Sequence, residues 1–167
     1  MFRRRGDRYV ATLAVDEVRV LRKVASEVVG LLTDGFDHSD PVLGRLFPEV
    51  YPDDSAGTAE FRRYTEGDLK TGKIDQAGAI LAALPDSSDS SGGEVQLDAE
   101  AAEAWLRALN DARLAMGVRL EVKDGTDLGA ELDEAVAADP SSSRVFQLSV
   151  YAYLGYLQES LLNAMLD

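Results

Sequence analysis

The C-terminal segment RVFQLSVYAYLGYLQESLLNAML, residues 144–166, restricts the fold more than any other part of the chain. It contains no proline, and its apolar side chains recur at helical spacing, so it predicts a helix. Those side chains span more than half of the helix circumference, whereas a helix that packs one face onto a core needs a narrower stripe. We therefore expect this helix either to be central in a bundle or to be covered in part by another subunit.

Three further segments are typical of helices. Residues 17–32 follow Asp16, a good N-cap residue, and their apolar side chains fall on one half of the helical wheel. Residues 55–84 change the phase of their apolar pattern near Gly72, which predicts a kink or a break there. Residues 99–120 have an apolar face of leucines that is interrupted by polar residues, and this interruption is considered below.

Two short segments indicate strands. Residues 8–15 alternate between the two faces of a strand, and the sequence EVQLD at 94–98 predicts a second brief strand. Together these patterns predict a mainly α fold: a helical bundle of about four principal helices around the C-terminal helix, with a small N-terminal β element. We expect a single domain over residues 1–167 with two flexible acidic segments, 85–94 and 123–143, of which the second should be a mobile loop.

The net charge of −13 is unevenly distributed along the chain. Residues 1–23 contain seven basic and three acidic residues, so the remaining 144 residues carry −17. An acidic body repels phosphate backbones, and direct nucleic-acid binding is therefore not expected. The basic end is either a solubilising terminus or a contact for DNA or an acidic protein. Because the sequence has no apolar run long enough to cross a bilayer and no secretory signal, we expect a cytoplasmic protein without membrane contact.

The sequence offers little for catalysis or metal binding. It has no cysteine, which excludes disulfides, thiolate zinc sites and thiol redox chemistry. The single histidine, His38, has no second histidine or cysteine with which to form a zinc site. The glycine motifs of nucleotide-binding proteins and the GxSxG element of hydrolases are absent from the sequence. We predict no catalytic residue, no cofactor and no metal site.

The helix at 99–120 places an arginine among its leucines. On a helical wheel, Arg113 falls between leucines and Asn110 lies beside the same face. A buried charge without a partner costs several kcal/mol, so Arg113 needs one, and other helices offer Glu60, Gln158 and Glu159. Two interpretations stay open: a buried polar network that fixes the helix register, or a pocket in which Arg113 receives an anionic ligand.

On the other side of the same helix, Arg107 and Asp111 are four residues apart and point away from the leucines. This spacing is typical of a solvent-exposed ion pair that contributes a few tenths of a kcal/mol. We therefore expect both residues on the surface.

The C-terminal helix also has apolar side chains outside its main seam. We predict that Leu148, Tyr156, Leu162 and Leu166 form an interface, either in a homodimer or with another protein partner. The alternative is that neighbouring helices bury these side chains within one chain. The opposite charges of the N-terminal end and of the acidic body favour association.

Three segments together resemble the actinobacterial AosR family, long catalogued as a domain of unknown function. The segments are RLFPEVYPDDSAGTAEFRRYT (45–65), AWLRALNDARLAMGVRLEV (104–122) and YLGYLQESLLNAM (153–165). With the N-terminal strand and helix, the resemblance extends along nearly the whole chain. The motif residues that carry it are Arg62, Arg63, Trp105, Asn110, Asp111, Arg113, Gln158 and Glu159.

The resemblance implies a regulator of transcription during oxidative stress that works with a protein partner such as a sigma factor. Sensing in family members with a redox role is attributed to a cysteine pair, which this chain lacks. Family members are often encoded beside the adaptor of the Clp protease, which implies protein turnover as a second context.

These observations predict a non-enzymatic regulatory or adaptor protein that acts through protein contacts. One alternative is a small-molecule binding module that holds an anion with Arg113. Another is a carboxylate- or metal-dependent enzyme that uses clustered acidic side chains. A deep pocket around an unpaired Arg113 would favour the first alternative, and a cation held by carboxylates would favour the second.

Overall fold

The computed structural model describes residues 1–35, 37, 39–49, 51–86 and 92–167. These residues form six helices and a three-stranded sheet. The helices are α1 (Val15–Thr33), α2 (Pro41–Leu46), α3 (Ser55–Ala83), α4 (Ala99–Arg119), α5 (Leu128–Ala138) and α6 (Ser143–Leu166). The strands are β1 (Arg3–Arg5), β2 (Arg8–Leu13) and β3 (Gly93–Leu97). The predicted fold class, mainly α with a small N-terminal β element, is confirmed.

Acidic side chains start most of the long helices. Asp54 and Asp98 accept hydrogen bonds from backbone amides in the first turns of α3 and α4, as N-caps do. Helix α1 begins earlier than predicted, because Glu17, rather than Asp16, closes its first turn by accepting from the Ala14 amide at 2.7 Å. A carboxylate near a helix N-terminus is also favoured by the helix dipole.

The sheet is antiparallel throughout, in the order β1-β2-β3. Residues Gly6 and Asp7 form the turn between β1 and β2, and Gly6 adopts a positive φ of 64° that suits a two-residue hairpin. Strand β1 was not predicted from the sequence. The Gly-Asp pair between two arginines was the available hairpin signal, but the arginine run looked like a solvated terminus.

The predicted arrangement around the C-terminal helix is wrong, because α4 rather than α6 lies at the centre of the packing and contacts α1, α2, α3, α6 and the sheet. Its Trp105 is fully buried and donates from its indole nitrogen to the Ala79 carbonyl at 3.2 Å. The ring of Phe2, just before β1, meets the Trp105 ring edge-on at 5.7 Å between centroids. The N-terminal hairpin is therefore anchored in the same core as the helices.

Two local predictions are wrong. Helix α3 continues through Gly72, so the break offered there is wrong, whereas a kink at this position stays a prediction. The predicted mobile loop at 123–143 contains α5, which Asp127 caps and which packs against α6. Within the other acidic segment, Gly93 begins β3, and residues 87–91 lie outside the described residues, as does His38. In the described ranges no helix is both long and apolar enough to cross a membrane.

Candidate functional site

The Arg113 side chain reaches from α4 onto α6. Its guanidinium donates to the side-chain oxygen of Gln158 at 2.9 Å, and its central carbon lies 5.3 Å from the centre of the Tyr151 ring. A methyl group added at Gly155 would lie 3.4 Å from three guanidinium atoms, so the flat face of the cation rests on bare backbone. The absence of a side chain at Gly155 thus makes room for Arg113.

Among the described residues, no carboxylate neutralises this cation. Arg113 forms no ion pair with any described residue, and its Nε is buried without a hydrogen-bond partner. The partner that the structure supplies is thus a neutral amide and an aromatic ring. Arg113 is half-buried, and the arrangement is that of a polar contact that holds α4 against α6.

A second polar contact joins α4 to α3 and was missed in the sequence. Asp111 is buried, with 5% of its side chain exposed, and accepts from the Lys73 ammonium at 2.8 Å. The expected surface pair with Arg107 is wrong, because Arg107 instead pairs with Glu103 at 3.5 Å. Burial raises the pKa of Asp111, and the neighbouring Lys73 only partly offsets that rise.

The sequence did contain a signal that the side of α4 next to Asp111 is buried. Ala108, Ala112 and Ala115 are buried on the α4 side next to Asp111. A row of alanines allows another helix to approach closely, and Ala112 and Ala115 lie beside Val28 of α1. A wheel that is centred on the leucines treats this alanine side as solvent-facing, and Asp111 was misplaced for that reason.

Three of the predicted network residues do not join Arg113. Asn110 is exposed and lines an open groove beside Lys73 and Asp111. Glu159 is exposed on α6, and Glu60 is exposed on α3, where it lies 4.0 Å from Arg63. Of the proposed set, the structure brings together only Arg113 and Gln158.

The predicted interface on α6 divides in two. Leu148 is 2% exposed, because it packs beneath α5 in a cluster with Leu120 and Ala135. Its assignment to an interface is therefore wrong. Tyr156, Leu162 and Leu166 are exposed, at 56%, 45% and 78%. These three side chains form an exposed apolar surface on the C-terminal half of α6, and Phe146 near the start of the helix is 53% exposed as well.

Beside this half of α6 lies a shallow depression that we name the β1–α6 groove. The N-terminal hairpin contributes Phe2, Arg3, Arg4 and Gly6, and α6 contributes Tyr156, Glu159, Ser160, Asn163 and Ala164, with Asp167 at the end. The backbone amide of Phe2 donates to the Ser160 hydroxyl at 2.8 Å, which fixes the hairpin against the helix. The groove joins basic, apolar and acidic side chains at one surface.

The described residues contain no group of three or more histidine, cysteine, aspartate or glutamate side chains placed to hold a metal ion. The buried carboxylate, Asp111, is engaged with Lys73. These polar side chains contribute to helix packing, and the β1–α6 groove is where different kinds of side chain converge at the surface.

The chain is similar to proteins with a named role. The family model described as "Domain of unknown function (DUF2017)" matches residues 1–165. Proteins of Mycobacterium bovis and Mycobacterium tuberculosis, both named oxidative stress regulator AosR, are each 29% identical to the chain. Each alignment covers 98% of this chain and 84% of the relative. No solved structure matches.

Proposed function

The chain belongs to the DUF2017 family, and we propose that it is a stress-linked regulatory protein that acts by binding another protein rather than by catalysis. The observation that carries the proposal is the match of nearly the whole chain to relatives named oxidative stress regulators. A partner in the transcription machinery, such as a sigma factor, would suit a regulator of this kind, as would a place in the cytoplasm.

The exposed part of α6 supports action through protein contacts. Tyr156, Leu162 and Leu166 place large apolar side chains in solvent at one end of the molecule. Tyrosine is enriched at protein interfaces, where its ring contributes contact area and its hydroxyl keeps a polar contact. A partner protein, or a second copy of the chain in a homodimer, would remove this surface from water.

The signal must reach this protein by a route other than thiol oxidation in its own chain. The sequence contains no cysteine, so neither a disulfide nor a sulfenic acid can form in it. We propose that the protein responds through its partner, whose modification or abundance would change with stress. In an isolated sample, mild peroxide followed by a thiol reductant should therefore produce no reversible change in partner binding.

The test compares tagged wild type with two variants in the native host. The double variant Tyr156→Glu/Leu162→Glu disrupts the α6 surface, and Leu69→Glu is the matched control, since Leu69 is 49% exposed on α3. Proteins that are retained by wild type and by Leu69→Glu, but lost from the double variant, identify the partner. Deletion of the gene should also change the transcripts induced by peroxide.

Two results would contradict the proposal. One is an identical set of captured proteins from all three forms, and the other is an unchanged peroxide response in the deletion strain. Melting curves by circular dichroism should first establish that Tyr156→Glu/Leu162→Glu and Leu69→Glu stay folded. Leu148→Glu provides the contrast, because a charge in the cluster below α5 should unfold or strongly destabilise the protein.

A further inference from the structure

Strand β1 leaves one edge of the sheet free. It pairs with β2 on one side, and no strand of the described residues pairs with its other side. A free strand edge presents backbone amide and carbonyl groups that can bond to another extended chain. In this molecule the free edge borders the β1–α6 groove, so an added strand would also contact α6.

The hairpin register identifies which backbone groups face the groove. Arg5 and Arg8 flank the two-residue turn and form a hydrogen-bonded pair, whereas Arg4 lies opposite Tyr9 in the next, non-hydrogen-bonded position. The Arg4 amide and carbonyl therefore point away from β2. Phe2 lies two residues before Arg4, so its amide should also point away from β2. This amide does so and donates to the Ser160 hydroxyl.

The charges around the edge favour an acidic occupant. Arg3 and Arg4 form no ion pair with any described residue, while Arg5 lies 3.6 Å from Glu94. Side chains alternate along a strand, so Arg3 and Arg5 share the outer face of the sheet. The α6 wall carries Tyr156 and the acidic residues Glu159 and Asp167, so acidic side chains of an added strand belong on the arginine face, away from this wall, and apolar ones belong toward Tyr156.

A second copy of this chain fits this edge poorly. Pairing β1 with itself across a two-fold axis would place arginines opposite arginines, and like charges directly opposite one another destabilise a strand pair. We propose that an extended acidic segment of a partner protein adds to β1 as a fourth strand in the β1–α6 groove. This inference rests on the proposed function, because it identifies the kind of partner segment that the regulatory surface accepts.

The probe is a fluorescein-labelled heptapeptide, Thr-Glu-Val-Glu-Val-Glu-Thr. As an added strand, it would place its glutamates on the arginine face and its valines toward Tyr156. A second peptide with lysine in place of each glutamate tests charge, and a single-stranded oligonucleotide of similar length tests whether any polyanion suffices. Fluorescence anisotropy with the full chain at low salt should detect the acidic peptide and not the lysine peptide. Equal binding of the oligonucleotide would overturn the proposal in favour of a nucleic-acid contact.

Variants separate backbone pairing from charge. Arg4→Pro removes the outward amide but leaves the β1–β2 hydrogen bonds in place, and should weaken peptide binding by about tenfold or more. Arg4→Ala keeps the amide and should weaken it by about threefold at most. Arg3→Glu/Arg5→Glu should reverse the preference toward the lysine peptide, which a merely unfolded edge would not do. Equal effects of Arg4→Pro and Arg4→Ala would overturn strand addition.

Amide spectra locate the contact. In a ¹⁵N-labelled sample, the acidic peptide should shift and protect the Arg4 amide more than the exposed amides of α5. Shifts confined to other surfaces would overturn the proposal. If partner capture in the native host depends on Tyr156 and Leu162 but not on Arg4, strand addition is wrong while the proposed function stands.

Discussion

Removing either member of the Lys73–Asp111 pair should have unequal consequences. Asp111 has 5% of its side chain exposed and Lys73 has 20%. Without Asp111, the flexible lysine can turn its ammonium toward water. Without Lys73, the carboxylate stays in the core with one oxygen, Oδ2, already lacking a hydrogen bond.

The magnitudes follow from this asymmetry. Stranding a buried charge costs about 3–5 kcal/mol, so Lys73→Met should lower the free energy of unfolding by ~3 kcal/mol near pH 7. Asp111→Asn keeps an oxygen that can accept from Lys73 and should cost only about 1 kcal/mol. Lys73→Met/Asp111→Leu removes both charges and should lie within about 1 kcal/mol of wild type, because desolvation offsets much of the attraction in a buried pair.

The pH dependence has a definite sign. Burial raises the pKa of Asp111 above its ordinary value, so the folded state holds this proton more tightly than the unfolded chain does. Stability contributed by this group is therefore present at low pH and lost as pH rises through the interval between the ordinary and the raised pKa. Lys73→Met should raise that pKa further, so the cost of the substitution should shrink as pH falls through the raised value.

The assay is urea unfolding followed by the fluorescence of Trp105, the sole tryptophan, which is fully buried. The control is Lys70→Met on the same helix, since Lys70 forms no ion pair with any described residue. Its effect should stay within about 0.5 kcal/mol. Equal losses for Lys73→Met and Asp111→Asn, or a Lys73→Met loss no larger than the control, would refute the reasoning.

Further substitutions test a glycine and the second polar contact. Gly92→Ala should lower the free energy of unfolding by about 2 kcal/mol or more, because Gly92 has a φ of +77° and an added Cβ would meet the Leu13 carbonyl oxygen. Gly125→Ala is the control, since Gly125 has a φ of +83° but open space around it, and should cost about 1 kcal/mol in the same urea assay. Equal losses at the two positions would contradict the clash. Gln158→Glu should raise the free energy of unfolding by about 1 kcal/mol near pH 7, because the new carboxylate would pair with Arg113. This pairing would lower the pKa of the new carboxyl, so the gain should disappear as pH falls through the lowered value. A gain that does not change with pH would contradict the ion pair. Arg113→Leu should lower the free energy of unfolding by about 1 kcal/mol, since Gln158, the partner of Arg113, is neutral. A loss above about 3 kcal/mol would indicate a stranded carboxylate.

The sequence predicted the long helices because their apolar faces and caps are local. Asp54 and Asp98 cap the helices expected to follow them, and the strand at 8–15 is β2. Helix α5 was missed because only Leu128, Leu132 and the small Ala135 pack inward among many acidic residues, which gives a weak pattern over eleven positions. The error at Leu148 follows directly, since its cover is a helix that was not expected.

The error at Asp111 has a different physical origin. A helical wheel describes one helix and assigns a single buried side, whereas α4 is surrounded by several partners and is buried on two. The leucine side predicted the contact with α6, and Arg113 and Gln158 do meet there. The alanine side gave no strong hydrophobic signal, although small residues are what a closely packed helix pair requires. Asp111 lies on that weakly marked side, and its pairing with Lys73 of α3 was missed for the same reason.

The placement of the motif residues bears on where regulation resides. Asp111, Arg113 and Gln158 lie in segments that resemble the AosR family, yet their polar groups join α4 to α3 and to α6 within the chain. Polar contacts of this kind specify how helices pack, so a shared pattern at these positions reports a shared fold. Function belongs to the site at which side chains stay available to another molecule. Arg4 and Tyr156 meet that condition on opposite sides of one groove, and the partner's chemistry should be sought there.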